Sequence, residues 1–273
     1  MTIDSRKLWK KELSLDKLEK GKHHFWLEAT ADRSGDNMGI PISLVKGGPG
    51  KVIGVVAATH GDELNGISVI HQLFKRLNPD EMTGCFVGIP VLNMPGFLRN
   101  QREFFDDRDL NRLMNGYEAK SPAGQYVKQI KNKLFSHFDC LIDLHTATSG
   151  RVNTYHIRVN SNHKSSYKMA HLMGSDIIVH SPKADGTSRY FFEKNDKPAI
   201  TVEIGNPQIL QDALIDQTIE GVIRNLEEFD VLPKSILKFE DKATICSDST
   251  WVFARSGGIL EVFPKLGEII KKG

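Results

Sequence analysis

The chain has 273 residues, 40% hydrophobic and 26% charged, with a formal net charge of +2. This is the make-up of a soluble globular protein with one large domain, or a main domain and an appendage. So small a net charge gives no basic face for nucleic acid, and no apolar stretch approaches the roughly 20 residues needed to span a membrane.

The charged start, "MTIDSRKLWKKELSLDKLEKG", has no apolar core of a secretory signal. Cys85, Cys140 and Cys246 are scattered and odd in number, which argues against a disulfide framework and for a cytoplasmic protein. After the polar arm, "FWLEAT" (25–30) and "IPISLVKG" (40–47) read as strands. "KVIGVVAAT" (51–59) is β-branched and nearly uncharged, as a strand covered on both faces should be. Between Glu63 and Leu77, apolar residues at 64, 67, 70, 73, 74 and 77 recur with helical spacing. "CFVGIPVLN" (85–93) is a further buried strand, followed by a long polar loop from Met94 to Gly116. Ser121-Pro122 caps and starts the next helix. "CLIDLH" (140–145), "VNTYHIRV" (152–159), "DIIVH" (176–180) and "PAITVEI" (198–204) add strands, with helices near 163–173 and 208–229. The alternation predicts an α/β fold, a mostly parallel mixed sheet with helices on both faces. Beyond Pro233 short strands are broken by glycines, so a main domain over 1–230 and a small β-rich unit over 231–273 are expected.

Three strand ends carry suggestive side chains: His60 with Glu63, His145, and Glu203. Ligands of open α/β sheets bind at such ends. Singly, each has an ordinary structural explanation, such as a glutamate favouring a helix dipole. Together they match hydrolytic zinc, which takes two or three His/Glu ligands and leaves one position open. His60, Glu63 and His145 would supply the ligands. Asp143, two residues before His145, would orient it, and Glu203 would remain as general base.

The loop "LNMPGFLRNQREFFDDRDLNRLM" (92–114) is too long and too arginine-rich to be a mere connection. With it, "HGDELNG", "DRDLNR", "DLHTATSGR" and "VEIGNPQ" occur in an order that resembles the succinylglutamate desuccinylase/aspartoacylase family of zinc carboxypeptidase-like amidohydrolases. The resemblance covers roughly residues 40–230. It implies one zinc per chain on His60, Glu63 and His145, with Glu203 activating the zinc-bound water. Asn111 and Arg112 match the pair that grips a substrate carboxylate. Arg102 matches the arginine that polarises the scissile carbonyl, and Arg99 or Arg108 could hold that role instead. The implied substrate is a small N-acylated amino acid or related amine whose amide is hydrolysed. Arg151, Arg158 and Arg189 are candidates for a second anionic contact.

Competing readings are a non-catalytic zinc-binding module, a metallocarboxypeptidase acting on peptides, and a nucleotide site at "KGGPGK" (46–51). The last fails, because the first glycine is absent and Val52 stands where Ser or Thr should bind magnesium. A homodimer is the default assembly. Toward the carboxyl terminus, "GGILEVFPKLGEIIKKG" resembles part of the small β-barrel that follows the catalytic domain in relatives. It has no lysine placed to carry a prosthetic group, and it predicts either a longer natural chain or an incomplete barrel whose open edge is covered by the amino-terminal arm or a second subunit.

Overall fold

The computed structural model describes residues 8–32, 34–148, 150–182, 185–235, 242–250, 255–259 and 261–271. Its strands are β1 (Trp9–Lys10), β2 (Gly21–Ala31), β3 (Asn37–Lys46), β4 (Val52–Ala57), β5 (Cys85–Ile89), β6 (Cys140–His145), β7 (His156–Val159), β8 (Ile177–His180), β9 (Ala199–Glu203) and β10 (Thr244–Cys246). They form one sheet in the order β1-β2-β3-β5-β4-β6-β9-β7-β8-β10. Pairing is antiparallel only at β2–β3, β3–β5 and β7–β9, and parallel elsewhere. The sheet is therefore mixed and mostly parallel, as expected.

The helices are α1 (Asn65–Arg76), α2 (Met94–Leu98), α3 (Pro122–Lys133), α4 (Lys164–Leu172), α5 (Ser188–Lys194) and α6 (Asp212–Glu228). Each face of the sheet has its own core, and strand alternation decides which residue serves which. Ile53, Val55, Ile142, Leu144, Ile200 and Val202 pack with α1, α4 and α6 through Ile70, Leu73, Met169, Ile219 and Val222. Val56, Leu141 and Ala199 face the other way, onto Tyr126, Ile130, Phe135 and Phe192 of the α3 and α5 side. The parity that buries Leu144 and Val202 on the first face sends Asp143, His145 and Glu203 to the second. Packing thus selects the side on which the polar residues collect.

Several expectations shift. The strand foreseen at 152–159 begins only at His156, because residues before it cross the strand ends as irregular chain. The strand foreseen at 85–93 ends at Ile89, before Pro90. The long loop contains α2, with Asn93 capping it through Gly96 N–H, and a 3-10 turn at Leu110–Arg112. Helix α5 had no expectation; Thr187 caps it, accepting from Tyr190 N–H, and Phe192 anchors it. Past residue 231, β10 pairs in parallel with β8 and extends the main sheet. The rest of the expected β-rich unit lies partly outside the described residues.

Candidate metal centre and its cavity

Strand β4 ends at Ala57, and Ala58, wholly buried, adopts a left-handed conformation with φ 47°. Such a conformation costs a non-glycine residue about 1–2 kcal/mol, and strain of this kind collects at functional sites. The turn then carries Thr59, His60 and Gly61 across the strand ends to Glu63. Gly61 is forced by packing: a Cβ there would lie 2.0 Å from the Gly96 carbonyl carbon and 2.2 Å from Phe97 N. Gly61→Ala is expected to lower stability by about 1–3 kcal/mol in chemical denaturation, since overpacked backbone cannot yield as a side chain can. An unchanged midpoint would show that the two loops separate freely.

His60, Glu63 and His145 converge and are nearly inaccessible. His60 Nδ1 is 2.7 Å from Glu63 Oε1, His145 Nδ1 is 2.9 Å from Glu63 Oε2, and the two Nδ1 atoms are 3.2 Å apart. The far side of each imidazole meets a carboxylate. His60 Nε2 donates to Asp109 Oδ1 at 3.1 Å, and His145 Nε2 is 3.1 Å from Asp143 Oδ2. Protons held at Nε2 leave lone pairs at both Nδ1 atoms, and these point at one spot beside a carboxylate. Two imidazole nitrogens, each backed by an outer acid, and one carboxylate form a donor set suited to zinc.

Electrostatics follow the same geometry. Burial alone would raise the Glu63 carboxyl, but His60 and His145 overcome it and hold its pKa at about 2. Burial would likewise depress both histidines; Glu63 with Asp109 raises His60, and Asp143 with Glu63 raises His145. Asp109 is held far below the usual carboxylate range: burial opposes this, and His60 and Arg102 outweigh it. Asp109 was not foreseen. It also accepts from Asn111 N–H at 2.8 Å and from Arg102 Nη2 at 2.7 Å, so one side chain ties a candidate ligand, an arginine and the "DLNR" turn together.

Glu203 lies beside the cluster because β6 and β9 pair in parallel with His145 opposite Glu203. Burial raises its pKa, His145 opposes this, and Glu63 adds to the rise. Asn111 is buried; its Oδ1 accepts from Ser188 N–H at 2.8 Å and its Nδ2 is 3.5 Å from His145 Nε2. Arg112 is largely exposed at the rim. Arg102 lies in the cavity wall, with Nη1 3.8 Å from Glu63 Oε1 and donating to Thr148 Oγ1. Of its alternates, Arg108 is paired with Asp106 and Glu118. Arg99 lines a separate groove of about 550 Å³ that also contains Trp9, Trp26 and Phe105. That groove is the larger, yet it holds neither the metal donors nor Glu203. The cavity over the His60/Glu63/His145 cluster is about 400 Å³ and is lined by Arg102, Arg112, Arg151, Arg158 and Arg189 as well as Glu203.

An α/β sheet with a His/Glu/His cluster at its strand ends, opening into an arginine-lined cavity, defines a protein with a candidate metal centre. Residues 49–229 match the model of the succinylglutamate desuccinylase/aspartoacylase catalytic domain, and the chain belongs to that family. Over 108 residues it is 29% identical to N-alpha-acetyl-L-2,4-diaminobutyric acid deacetylase of Halomonas elongata. That match covers 39% of this chain and about a third (32%) of the deacetylase. The fold is similar to a succinylglutamate desuccinylase from Silicibacter sp. TM1040, with a TM-score of 0.80, 19% identity, and coverage of 92% of this chain and 80% of that one. It is also similar to a product-bound ectoine utilization protein from Ruegeria pomeroyi, with a TM-score of 0.76, 18% identity, and coverage of 84% and 74%. Among the described residues no helix is long and apolar enough to cross a membrane.

Proposed function

We propose that the protein hydrolyses the amide of a small N-acylated amino acid or related N-acyl amine, using one zinc ion held by His60, Glu63 and His145. The observation that carries this reading is the register of β6 and β9, which sets Glu203 directly beside a metal donor set. A metal-binding module alone has no use for a partly buried carboxylate with a raised pKa next to its ligands. The ion would supply Lewis acidity toward water and the carbonyl oxygen. Glu203 then serves as general base: it takes a proton from the attacking water at a carboxylate oxygen and returns it to the leaving nitrogen. Arg102, held by Asp109, donates to the carbonyl oxygen as negative charge develops there. Asn111 and Arg112 bind the carboxylate of the amine half, the arginine through its planar fork. Arg112 at the cavity rim supports an anionic substrate, and family membership together with the named relatives supports N-acyl amino acids. We further propose a division between the catalytic unit and a carboxyl-terminal unit near residue 231.

The test is hydrolysis by zinc-loaded protein of N-acetyl and N-succinyl derivatives of aspartate, glutamate and 2,4-diaminobutyrate. Release of free amine from at least one is expected. Peptide cleavage with no deacylation would favour a carboxypeptidase instead. Arg112→Lys is expected mainly to raise KM, because a point charge loses the bidentate grip. A fall in kcat alone would place Arg112 on the transition state.

A further inference from the structure

In a mostly parallel sheet the functional side chains sit at strand carboxyl ends, and a reversed strand brings its opposite end there. Strand β7 is reversed against β9, with His156 opposite Glu203. Its amino-terminal end, and the irregular chain before it, therefore lie beside the candidate base. Two side chains from this segment reach the Glu203 carboxylate. Asn153 Nδ2 donates to Oε2 at 3.3 Å, and Arg158 Nε lies 3.5 Å from Oε1. The two oxygens of one carboxylate thus have two separate partners, which fixes its plane.

Asn153 is itself anchored. Its backbone N–H donates to Asn206 Oδ1 at 2.9 Å, and Asn206 N–H donates to Gln211 Oε1 at 2.6 Å. Gln211 N–H donates to Asn65 Oδ1 at 2.9 Å, and Asn65 Nδ2 closes back on the Ile204 carbonyl at 2.7 Å. Asn65, fully buried, is the asparagine of "HGDELNG", and Asn206 that of "VEIGNPQ". Asn65 and Asn206, polar residues of the two motifs that neither bind metal nor move protons, both belong to this chain of bonds. It runs from the start of α1, through the turn after β9, to the base.

We infer that Asn153 and Arg158 are positioning residues that hold the Glu203 carboxylate in its working orientation, with Asn65, Gln211 and Asn206 as their support. This rests on Glu203 acting as the base. A carboxylate offers about four lone-pair sites, so one hydrogen bond on Oε2 and an ion pair at Oε1 still leave room to accept a proton. A misplacement of about 1 Å at such a group is enough to cost on the order of 10²-fold in rate.

The test compares Asn153→Ala, Arg158→Met, Arg158→Lys and Glu203→Gln as zinc-loaded full chains, using the best-hydrolysed compound of the N-acyl panel. Asn153→Ala and Arg158→Met are each expected to lower kcat roughly 10- to 100-fold with KM little changed. Arg158→Lys should recover part of that loss. Zinc affinity, read by competition with a chromophoric chelator, should stay at the parental value. A crystal structure of Asn153→Ala should show the Glu203 carboxylate turned from its parental orientation, a readout that needs no substrate. The inference is overturned if Glu203 keeps its orientation, if only KM rises, or if zinc affinity falls in step with kcat. Near-parental turnover in both variants beside an inactive Glu203→Gln overturns it while leaving the base in place. An active Glu203→Gln defeats the proposed mechanism itself.

Discussion

Glu203→Gln is expected to lower kcat by at least 10²- to 10⁴-fold, the usual contribution of a positioned general base, while zinc stays bound. The amide is isosteric and can still accept from Asn153, but it cannot take a proton from water. Stability should move the other way. Burial raises the Glu203 pKa, so the folded protein favours the protonated form, and stability is lost as pH rises from the unfolded carboxyl's pKa to the folded one. In metal-free protein the glutamine should therefore raise the Tm at neutral pH. The gain should fade as pH drops through the Glu203 pKa, because the parent side chain is then neutral as well. Thermal melts over a pH series check the sign. A Tm at or below the parent throughout would mean that Arg158 and its neighbours fully compensate the buried charge. Near-normal kcat with metal bound would remove Glu203 from the base role.

Much of this arrangement is legible in the sequence, for a definite reason. Strands β4, β6 and β9 are covered on both faces, so each appears as a largely apolar run, and the polar residues at or just beyond its end are conspicuous. His60, Glu63, His145 and Glu203 all stand out in this way. Which strands are neighbours is not written locally: β9 lies beside β6 although β7 and β8 intervene in the chain. Nor is strand direction. "HIRV" would look the same run either way, yet its reversal is what places Asn153 and Arg158 at Glu203. Asp109 is hidden for a related reason. Within "DRDLNR" it is one of two acids, and only the approach of that turn to β4 makes it the partner of His60. Helix α5 spans seven residues, too few to show helical periodicity, and relies on Thr187 and two phenylalanines instead. A short strand is legible in "ATICSDST", but its partner is not, because an edge strand that joins β8 carries the same local signal as one that begins a new unit.

Metal analysis should give about one zinc per chain after reconstitution, with ligand distances of ~2.0–2.2 Å. The structure bears on how tightly. The His60 and His145 Nδ1 atoms both lie against the Glu63 carboxylate, and Glu63 and Asp109 raise His60 against the effect of burial. Protons and metal therefore compete for the same lone pairs, and affinity should fall as pH falls. The outer acids act in the opposite sense by keeping the ring proton on Nε2. Asp109→Asn is expected to weaken zinc binding by 10- to 100-fold, the typical cost of losing such a partner. It should also loosen Arg102, so that saturating zinc restores only part of kcat. His145→Ala should abolish stoichiometric binding. Equilibrium dialysis of the two variants separates these effects, and rescue of Asp109→Asn to full activity by excess zinc would show that Arg102 keeps its place unaided. If His145→Ala still bound one zinc with parental affinity, the ion would lie somewhere other than the strand ends of β4 and β6, and the proposed reaction would lose its foundation.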